Sequence, residues 1–261
     1  MPGGVRQMKL PMLLTAAAVL FAAHPAAAAQ NNLISFVSSS GADTNTCLPD
    51  APCRNLGGPT GAIAKTFNSA GTIRVLDAGN FKGGTINKSL AIFGDRLQTV
   101  IPASGFNALS INAPGQIVML QGFSVVGPKG NIGIEIRAAR AVHLGQCLID
   151  GMSLADGAGI GVAIVTSEET EVVISDCTFT GNREAIRVRS NGSPVRVLLD
   201  RVVIDGNGTG IRVDGALASV RLHKTAIRAT SPQVKRVNRG KLESYQTNAI
   251  GNVTVTPVPL H

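Results

Sequence analysis

Aromatic residues are scarce in this chain, which has no tryptophan, a single tyrosine, Tyr245, and only 3% aromatic residues in total. Proteins that hold sugars or single-stranded nucleic acids by stacking need aromatic rings as platforms. The composition therefore disfavours both kinds of stacking site. Nucleotide-binding loops, catalytic-triad motifs, zinc-ligand spacings and nucleic-acid-binding modules are lacking too, so we expect no nucleic-acid partner.

Long apolar segments are lacking beyond the N-terminus, so we expect no membrane span. At the N-terminus, Arg6 and Lys9 precede the apolar stretch 10–23, and small residues continue to Ala29. A positive, then an apolar, then a small-residue region is typical of a secretory signal. We interpret residues 1–29 as a signal peptide, with an uncleaved anchor as the alternative, and predict a secreted or periplasmic bacterial protein.

Acidic residues are outnumbered, since the chain has 24 lysines and arginines against 16 aspartates and glutamates. Without the two cations of the signal segment, residues 30–261 carry 22 cations and 16 acids, a net charge of +6. A basic exported protein attracts acidic polysaccharide, lipopolysaccharide or nucleic acid. The alternative is a basic composition without a dedicated partner, as in many exported proteins.

Four cysteines suit an oxidising compartment. Cys47 and Cys53 bracket a short loop whose two prolines, Pro49 and Pro52, hold its ends close. We therefore predict a disulfide between Cys47 and Cys53. A metal site is the less favoured alternative, because four ligands are needed and neither a histidine nor another cysteine lies nearby.

An imperfect internal repeat organises the chain from residue 123 onward. Four short strand-like segments each end at a glycine, and these glycines are 24, 30 and 25 residues apart. The segments are 123–127, 147–151, 177–181 and 202–206. A second apolar strand follows each glycine, at 134–137, 162–165, 186–189 and 211–214, and a third precedes the next glycine segment. Each repeat thus predicts three strands and three turns.

A unit of three short strands cannot bury its apolar side alone, so we expect the units to stack as coils about 4.8 Å apart. Strand alternation places the residues four and two positions before each glycine in two inward columns. These residues are Phe123 and Val125, Cys147 and Ile149, Cys177 and Phe179, and Val202 and Ile204. Cys147 and Cys177 become neighbours on successive coils, where we expect buried free thiols, with a disulfide as the alternative.

The pattern predicts an all-β, single-stranded right-handed parallel β-helix that forms one domain, residues 30–261. Residues 59–70 are predicted to form a short N-terminal capping helix, with Ile63 and Phe67 on one face, because an uncovered end of a solenoid invites aggregation. Residues 235–241 are polar and basic, and residues 242–261 are predicted to form the terminal coil. We expect a monomer.

Both ends of this domain resemble a known family. The segments 36–43, 76–81 and 85–92 and the pair Cys47 and Cys53 look like the opening of secreted bacterial right-handed β-helix proteins in the pectin-lyase-like superfamily. Segment 244–252 is similar to the last coil of that family. The resemblance covers nearly all of residues 30–261. It implies the fold but little about activity, because this branch is largely without an assigned function.

Superfamily relatives that cut polyuronates use clustered aspartates with a Gly-His-Gly motif, or calcium-binding acids with a basic arginine. This chain has neither an Asp-Asp pair nor Gly-His-Gly, so a hydrolase with two carboxylates is disfavoured. His143 and His223 are lone histidines among strand residues, and such histidines are more often structural than catalytic. We assign no catalytic residue. Whether the protein is an enzyme stays open, although its residues favour a protein without enzymatic activity.

Two outward columns supply the candidate ligand-binding residues. The repeat alignment places Glu135, Arg187 and Arg212 in one column and Arg137, Arg189 and Asp214 two residues further along. Stacked arginines repel one another unless an anion lies on them, and the guanidinium group suits carboxylates or sulfates repeated along a polymer. The alternative is a solvated face on which Glu135, Glu184 and Asp214 offset the arginines.

Three functions remain open. We favour an exported β-helix that binds anionic polysaccharide or acts at the cell envelope. One alternative is a calcium-dependent polysaccharide lyase acting on uronates, which needs a cation to acidify a proton and a base to remove it. The other is a structural or partner-binding module. We expect no cofactor and no metal site, with calcium as the alternative.

Overall fold

The computed structural model describes residues 3, 32–95, 98–104, 106–153, 158–228, 230–251 and 253–259. The predicted signal peptide, residues 1–29, lies outside the described residues except for Gly3. Within the described part of the chain, no helix is long and apolar enough to cross a membrane.

Strands make up almost all of the regular structure, and the described residues contain one short helix, α1 (Ala62–Lys65). The strands in the first half are β1 (Ile34–Val37), β2 (Gly71–Val75), β3 (Gly79–Asn80), β4 (Thr85–Ile86), β5 (Leu90–Phe93), β6 (Thr99–Ser104), β7 (Leu109–Lys129) and β8 (Ile132–Asp150). Those in the second half are β9 (Ile160–Thr166), β10 (Thr170–Ser175), β11 (Thr178–Thr180), β12 (Glu184–Ser190), β13 (Val195–Asp200), β14 (Val203–Asp205), β15 (Thr209–Asp214), β16 (Ala218–His223), β17 (Ala226–Arg228), β18 (Val234–Val237), β19 (Lys241–Ser244) and β20 (Thr256–Pro257).

These strands pair into three parallel ladders, which each coil visits in turn. Ladder 1 runs β1, β2, β5, β7, β8, β10, β13, β16, β19, β20. Ladder 2 runs β3, β6, β7, β8, β11, β14, β17, and ladder 3 runs β4, β7, β8, β9, β12, β15, β18. The chain is therefore an all-β parallel β-helix of about seven turns, as predicted. The right-handed sense, usual for parallel crossovers, stays a prediction.

The glycines that end the sequence repeats lie in one line along the solenoid. Each of the residues before them pairs in register with the next: Val126 with Asp150, Asp150 with Thr180, and Thr180 with Asp205. Gly151, Gly181 and Gly206 have φ angles of 77°, 64° and 64°. Residues with a Cβ atom rarely adopt this left-handed conformation, so glycine is favoured at the corner. The repeat read from the sequence is thus the structural coil.

The predicted inward columns form the core of ladder 2. Phe123 pairs with Cys147, Val125 with Ile149, and Ile149 with Phe179 on successive coils. All eight predicted core residues are at most 3% exposed. Burial of such aligned apolar side chains drives the stacking, since a coil without neighbours would expose one side of every column.

Cys147 and Cys177 form a disulfide, so the expectation of free thiols was wrong. The two residues lie on adjacent coils with their Cα atoms 4.5 Å apart. That separation lies within the range that a disulfide spans, even though both side chains point inward from parallel strands. The strand register therefore places the two cysteines close enough to form the disulfide.

The N-terminal end is covered by a disulfide loop as well as a helix. Cys47 and Cys53 are bonded as predicted. The loop between them closes the free edge of β1, because Phe36 N–H donates to the Cys47 carbonyl at 2.8 Å and Cys53 N–H donates to the Phe36 carbonyl at 2.9 Å. Helix α1 is shorter than the predicted 59–70, and Phe67 lies beyond it, 43% exposed, instead of packing beside Ile63.

A buried pair of asparagines ties neighbouring coils together at the corner after ladder 2. The Asn207 Oδ1 atom accepts hydrogen bonds from Asn182 N–H at 3.0 Å and from Asn182 Nδ2 at 2.9 Å. Asn207 Nδ2 donates to the carbonyls of Phe179 and Asp205 at 2.9 and 3.0 Å. These side chains satisfy backbone groups that the turn would otherwise leave buried and unpaired.

The C-terminal end is covered unevenly. β20 extends ladder 1 beyond β19, and a bridge between Ala226 and Ala249 extends ladder 2. Ladder 3 ends at β18, whose outer edge has no partner strand within the described ranges. The basic residues of β18 and of the following turn are therefore presented at this end of the solenoid.

Candidate functional site

Ladder 3 brings the predicted arginines into one outward column. Arg187 pairs in register with Arg212, and Arg212 with Lys235, so three cations follow one another on successive coils. We call Arg187, Arg212 and Lys235 the cationic column. Inward neighbours such as Val188 and Val213 anchor these strands in the core and orient the cations outward.

Glu135 belongs to the same register position but stands apart from the arginines. It pairs with Ala163, and Ala163 pairs with Arg187, so one small residue separates the acid from the cationic column. Glu135 accepts from Arg137 at 2.9 Å and from Asn107 at 2.7 Å. The six predicted residues therefore form two groups, with Glu135 and Arg137 in one and the other four in the second.

Acids on the same strands hold both arginines of the cationic column. Arg187 Nε donates to Glu184 at 3.0 Å, and Arg212 lies 3.5 Å from Asp214. Asp214 also accepts from Asn238 Nδ2 at 2.7 Å. The guanidinium side chains are 30% and 31% exposed, so part of each stays open to solvent. Glu184 and Asp214 thus offset part of the arginine charge, and whether a ligand binds this surface stays a prediction.

Two atoms in this cluster lack a hydrogen-bond partner. Glu184 Oε1 and Arg212 Nε are both buried without one, and only one other side-chain atom among the described residues shares that condition. Buried polar atoms are normally satisfied, so each such atom calls for water or another partner. The cluster therefore retains unused hydrogen-bonding capacity beside the cationic column.

The terminal part of the chain concentrates the positive charge. Residues 215–261 contain seven lysines and arginines but only one acidic residue, Glu243. That acid pairs with Arg221 at 2.7 Å. None of the other six makes an ion pair within the part of the chain that the structure describes: Lys224, Arg228, Lys235, Arg236, Arg239 and Lys241. The net charge of +6 on this segment equals that of residues 30–261 as a whole.

Sequence reasoning missed a second candidate site, a groove on the outer surface of ladder 1. Its floor contains Val173 and Leu198, which pair in register, and its walls include Arg196, Arg221 and Tyr245. Apolar side chains that face outward in the middle of a charged surface are suited to a ligand with an apolar side. We call this feature the ladder-1 groove.

A histidine oriented by a carboxylate lies beside this groove. His223 Nδ1 is 2.6 Å from Asp200 Oδ1, and the His223 ring meets the Tyr245 ring edge-on with 5.7 Å between centroids. Asp200 also pairs with Arg201. Arg201 donates to both carboxylate oxygens of Asp176, at 2.6 and 2.8 Å, and holds the Asp176 pKa below its ordinary value.

Arg221 completes this cluster. It donates to Glu243 at 2.9 Å and to the Tyr245 hydroxyl at 3.3 Å, and these bonds, led by that to Glu243, raise the Arg221 pKa. A base with an orienting acid, a cation and a phenol thus occur together. The available signal was register. Asp200 and His223 end β13 and β16 and pair in register, and Tyr245 directly follows β19, where its N–H donates to the Leu222 carbonyl at 3.1 Å.

No group of three or more His, Cys, Asp or Glu side chains is placed to hold a metal ion among the residues that the structure describes. Comparisons with protein-family models, with curated proteins and with solved structures found no match. Function must therefore be inferred from the chemistry of these two surfaces.

Proposed function

We propose that this protein is exported and binds anionic polysaccharide at the cell envelope through the cationic column, Arg187, Arg212 and Lys235. The observation that carries the proposal is the in-register stacking of Arg187, Arg212 and Lys235, continuous with a segment of seven cations and one acid. Lys235 makes no ion pair with an acid among the described residues.

Spacing supports a repeating ligand. The strands that carry these cations lie about 4.8 Å apart, a spacing comparable to the length of one sugar unit, so a chain with an anion on each unit can meet one cation per coil. Glu184 and Asp214 fix the two guanidinium groups, which reduces the entropy that ligand binding would otherwise cost. The remaining N–H groups can bind carboxylates or sulfates.

The disulfides support an oxidising compartment, in agreement with the predicted signal peptide. The resemblance to secreted pectin-lyase-like β-helix proteins points the same way. Both features favour an envelope polymer as the ligand over a cytosolic one.

The test is binding to immobilised alginate, pectate and lipopolysaccharide. The variant R187A/R212A/K235A should bind the preferred polymer at least about tenfold more weakly, since each lost charge-assisted contact contributes about 1.5–3 kcal/mol when fully formed. The matched control R74A/K82A/K129A loses three exposed cations from coils that precede the cationic column and should keep most of the affinity. An equal loss of affinity in both variants would show that net charge, and not the cationic column, determines binding. If the parent binds none of the three polymers, the partner-binding module is favoured instead.

A second candidate function, a polysaccharide lyase, is favoured by the cluster at the ladder-1 groove. His223 could remove the proton beside a uronate carboxylate, Arg221 could neutralise that carboxylate, and Tyr245 could protonate the leaving oxygen. The product is an unsaturated uronate that absorbs ultraviolet light. Absorbance that appears with the parent and disappears in H223A would support this function, and no absorbance across a uronate panel with and without calcium would end it.

A further inference from the structure

A second concentration of cations lies at the C-terminal end of the solenoid, apart from the outward wall of ladder 3. Arg236, Arg239 and Lys241 line one depression together with Gly240 and Thr256. All three cationic residues are exposed. They come from β18, from the turn after it and from the start of β19, so three successive pieces of backbone converge on the depression.

The turn that presents Arg239 has a restricted shape. Asn238 and Arg239 both have positive φ angles, of 50° and 63°, which residues with side chains seldom adopt twice in succession. Gly240 is pressed against the preceding coil, since a Cβ atom there would lie 2.4 Å from the Val213 carbonyl oxygen. Asn238 Nδ2 fixes the other side of the turn by donating to Asp214 at 2.7 Å.

The depression carries positive charge that its own surroundings do not neutralise. Glu243 also lines it, but both its described bonds go to Arg221 in the ladder-1 groove. Arg236, Arg239 and Lys241 make no ion pair within the described ranges. Three like charges around one depression repel one another, and a compact anion between them would relieve that repulsion.

We propose that this depression is a binding site for a phosphate group. A phosphate carries close to two negative charges and several strong acceptor oxygens, so it offers three cationic donors more charge and more acceptors than one carboxylate does. Two arginines supply planar forks, and the Thr256 hydroxyl adds a neutral donor. The site is chemically separate from the cationic column, so either can fail without the other.

Three sources of phosphate share this chemistry, namely free phosphate, a phosphorylated sugar and a lipid headgroup. Calorimetric titration with inorganic phosphate, with glucose 6-phosphate and with glucose would separate the first two. Flotation with phosphatidylcholine vesicles that contain phosphatidic acid would detect the third. Because the depression is at an open end of the solenoid, we expect glucose 6-phosphate to bind at least as tightly as inorganic phosphate, and glucose not to bind.

The variant R236A/R239A/K241A should lose phosphate binding by about tenfold or more, as expected for the removal of charge-assisted hydrogen bonds. It should keep the thermal unfolding profile of the parent, because all three side chains are exposed. R74A/K82A/K129A, with the same charge loss elsewhere, should bind phosphate like the parent.

Equal weakening in both triple variants, or no phosphate binding by the parent in any of the three forms, would overturn the site. Polymer binding measured on the same preparations reports on the cationic column through R187A/R212A. R187A/R212A should bind phosphate like the parent. Loss of phosphate binding in R187A/R212A would contradict a phosphate site separate from the cationic column.

Discussion

Replacing Asn207 by alanine tests how far the stacked coils depend on buried polar side chains. Asn207 is 5% exposed and makes four described hydrogen bonds through its carboxamide, two to Asn182 and two to backbone carbonyls. Alanine removes all four. Asn182 N–H and the Phe179 carbonyl would lose these partners in a site closed to water.

Each buried donor or acceptor left unsatisfied costs about 1–3 kcal/mol, so two such groups give an expected destabilisation of about 2–4 kcal/mol. Urea unfolding followed by far-ultraviolet circular dichroism measures it. The matched control is N191A: Asn191 is exposed at another corner, where its backbone N–H donates to the Thr166 carbonyl at 3.0 Å. That backbone bond survives the change, so the control should stay within about 0.5 kcal/mol of the parent.

A loss below about 1 kcal/mol in N207A would refute the reasoning, because it would mean that water or a relaxed turn satisfies the orphaned groups. A loss of equal size in N191A would show that asparagine conformational preference at corners, and not the buried bonds, sets the stability.

Three further predictions concern the cross-links, the response to acid and the terminal turn. The free energy of unfolding of C147A/C177A should fall by about 3–4 kcal/mol, because that disulfide closes a separation of 30 residues. The disulfide removed in C47A/C53A closes a separation of 6, so that variant should lose about 2 kcal/mol. Thiol titration of the unfolded, unreduced parent should find no free thiol, and two free thiols would contradict the Cys147–Cys177 bond. Asp77 accepts from Ser38 Oγ at 2.6 Å and Ser39 N–H at 2.7 Å, and although burial opposes it, these bonds lower its pKa. The contribution of the Asp77 carboxylate to stability is therefore present above its pKa in the unfolded state and is lost as pH falls through its pKa in the folded state. D77N should have a lower free energy of unfolding than the parent at pH 6, and the difference should shrink toward about pH 3. A difference that stays constant across that range would contradict this. G240A should unfold at lower temperature than G145A, because a Cβ atom at residue 240 would lie 2.4 Å from the Val213 carbonyl oxygen, whereas the nearest contact at residue 145 is the Ser175 hydroxyl at 3.6 Å. Equal melting temperatures would show that the terminal turn is not held against the preceding coil.

The stacking of coils was predictable from the sequence because its causes repeat. A glycine with apolar residues four and two positions before it recurs in all four aligned units, and in three of them this glycine has a left-handed conformation, so alignment of the units identified the residues that pair in ladder 2. The same alignment put Arg187 and Arg212 in one column.

What could not be predicted depends on distances that a pattern does not supply. Cys147 and Cys177 were placed side by side, but only the distance between their sulfur atoms, which the orientation of the side chains sets, shows that they bond. The length of α1 was overestimated because Ile63 and Phe67 have helical spacing, yet the chain turns into extended conformation at Thr66, with φ −79° and ψ 146°.

The ladder-1 groove was missed for a related reason. Asp200, His223 and Tyr245 come from three different coils, and none of them belongs to a local motif. In its own sequence segment His223 has no acidic neighbour. The carboxylate that orients it, that of Asp200, belongs to the preceding coil, with Oδ1 2.6 Å from His223 Nδ1. In a solenoid, functional groups assemble along the axis, so the informative neighbours are about one repeat distant.

The central functional claim is that an anionic polymer lies along the axis of the solenoid on ladder 3. A crystal structure with a short uronate oligosaccharide tests it most directly. We expect successive carboxylates of the oligosaccharide to lie beside Arg187, Arg212 and Lys235, in that order. An oligosaccharide seated in the ladder-1 groove, or running across the coils on another face, would contradict it.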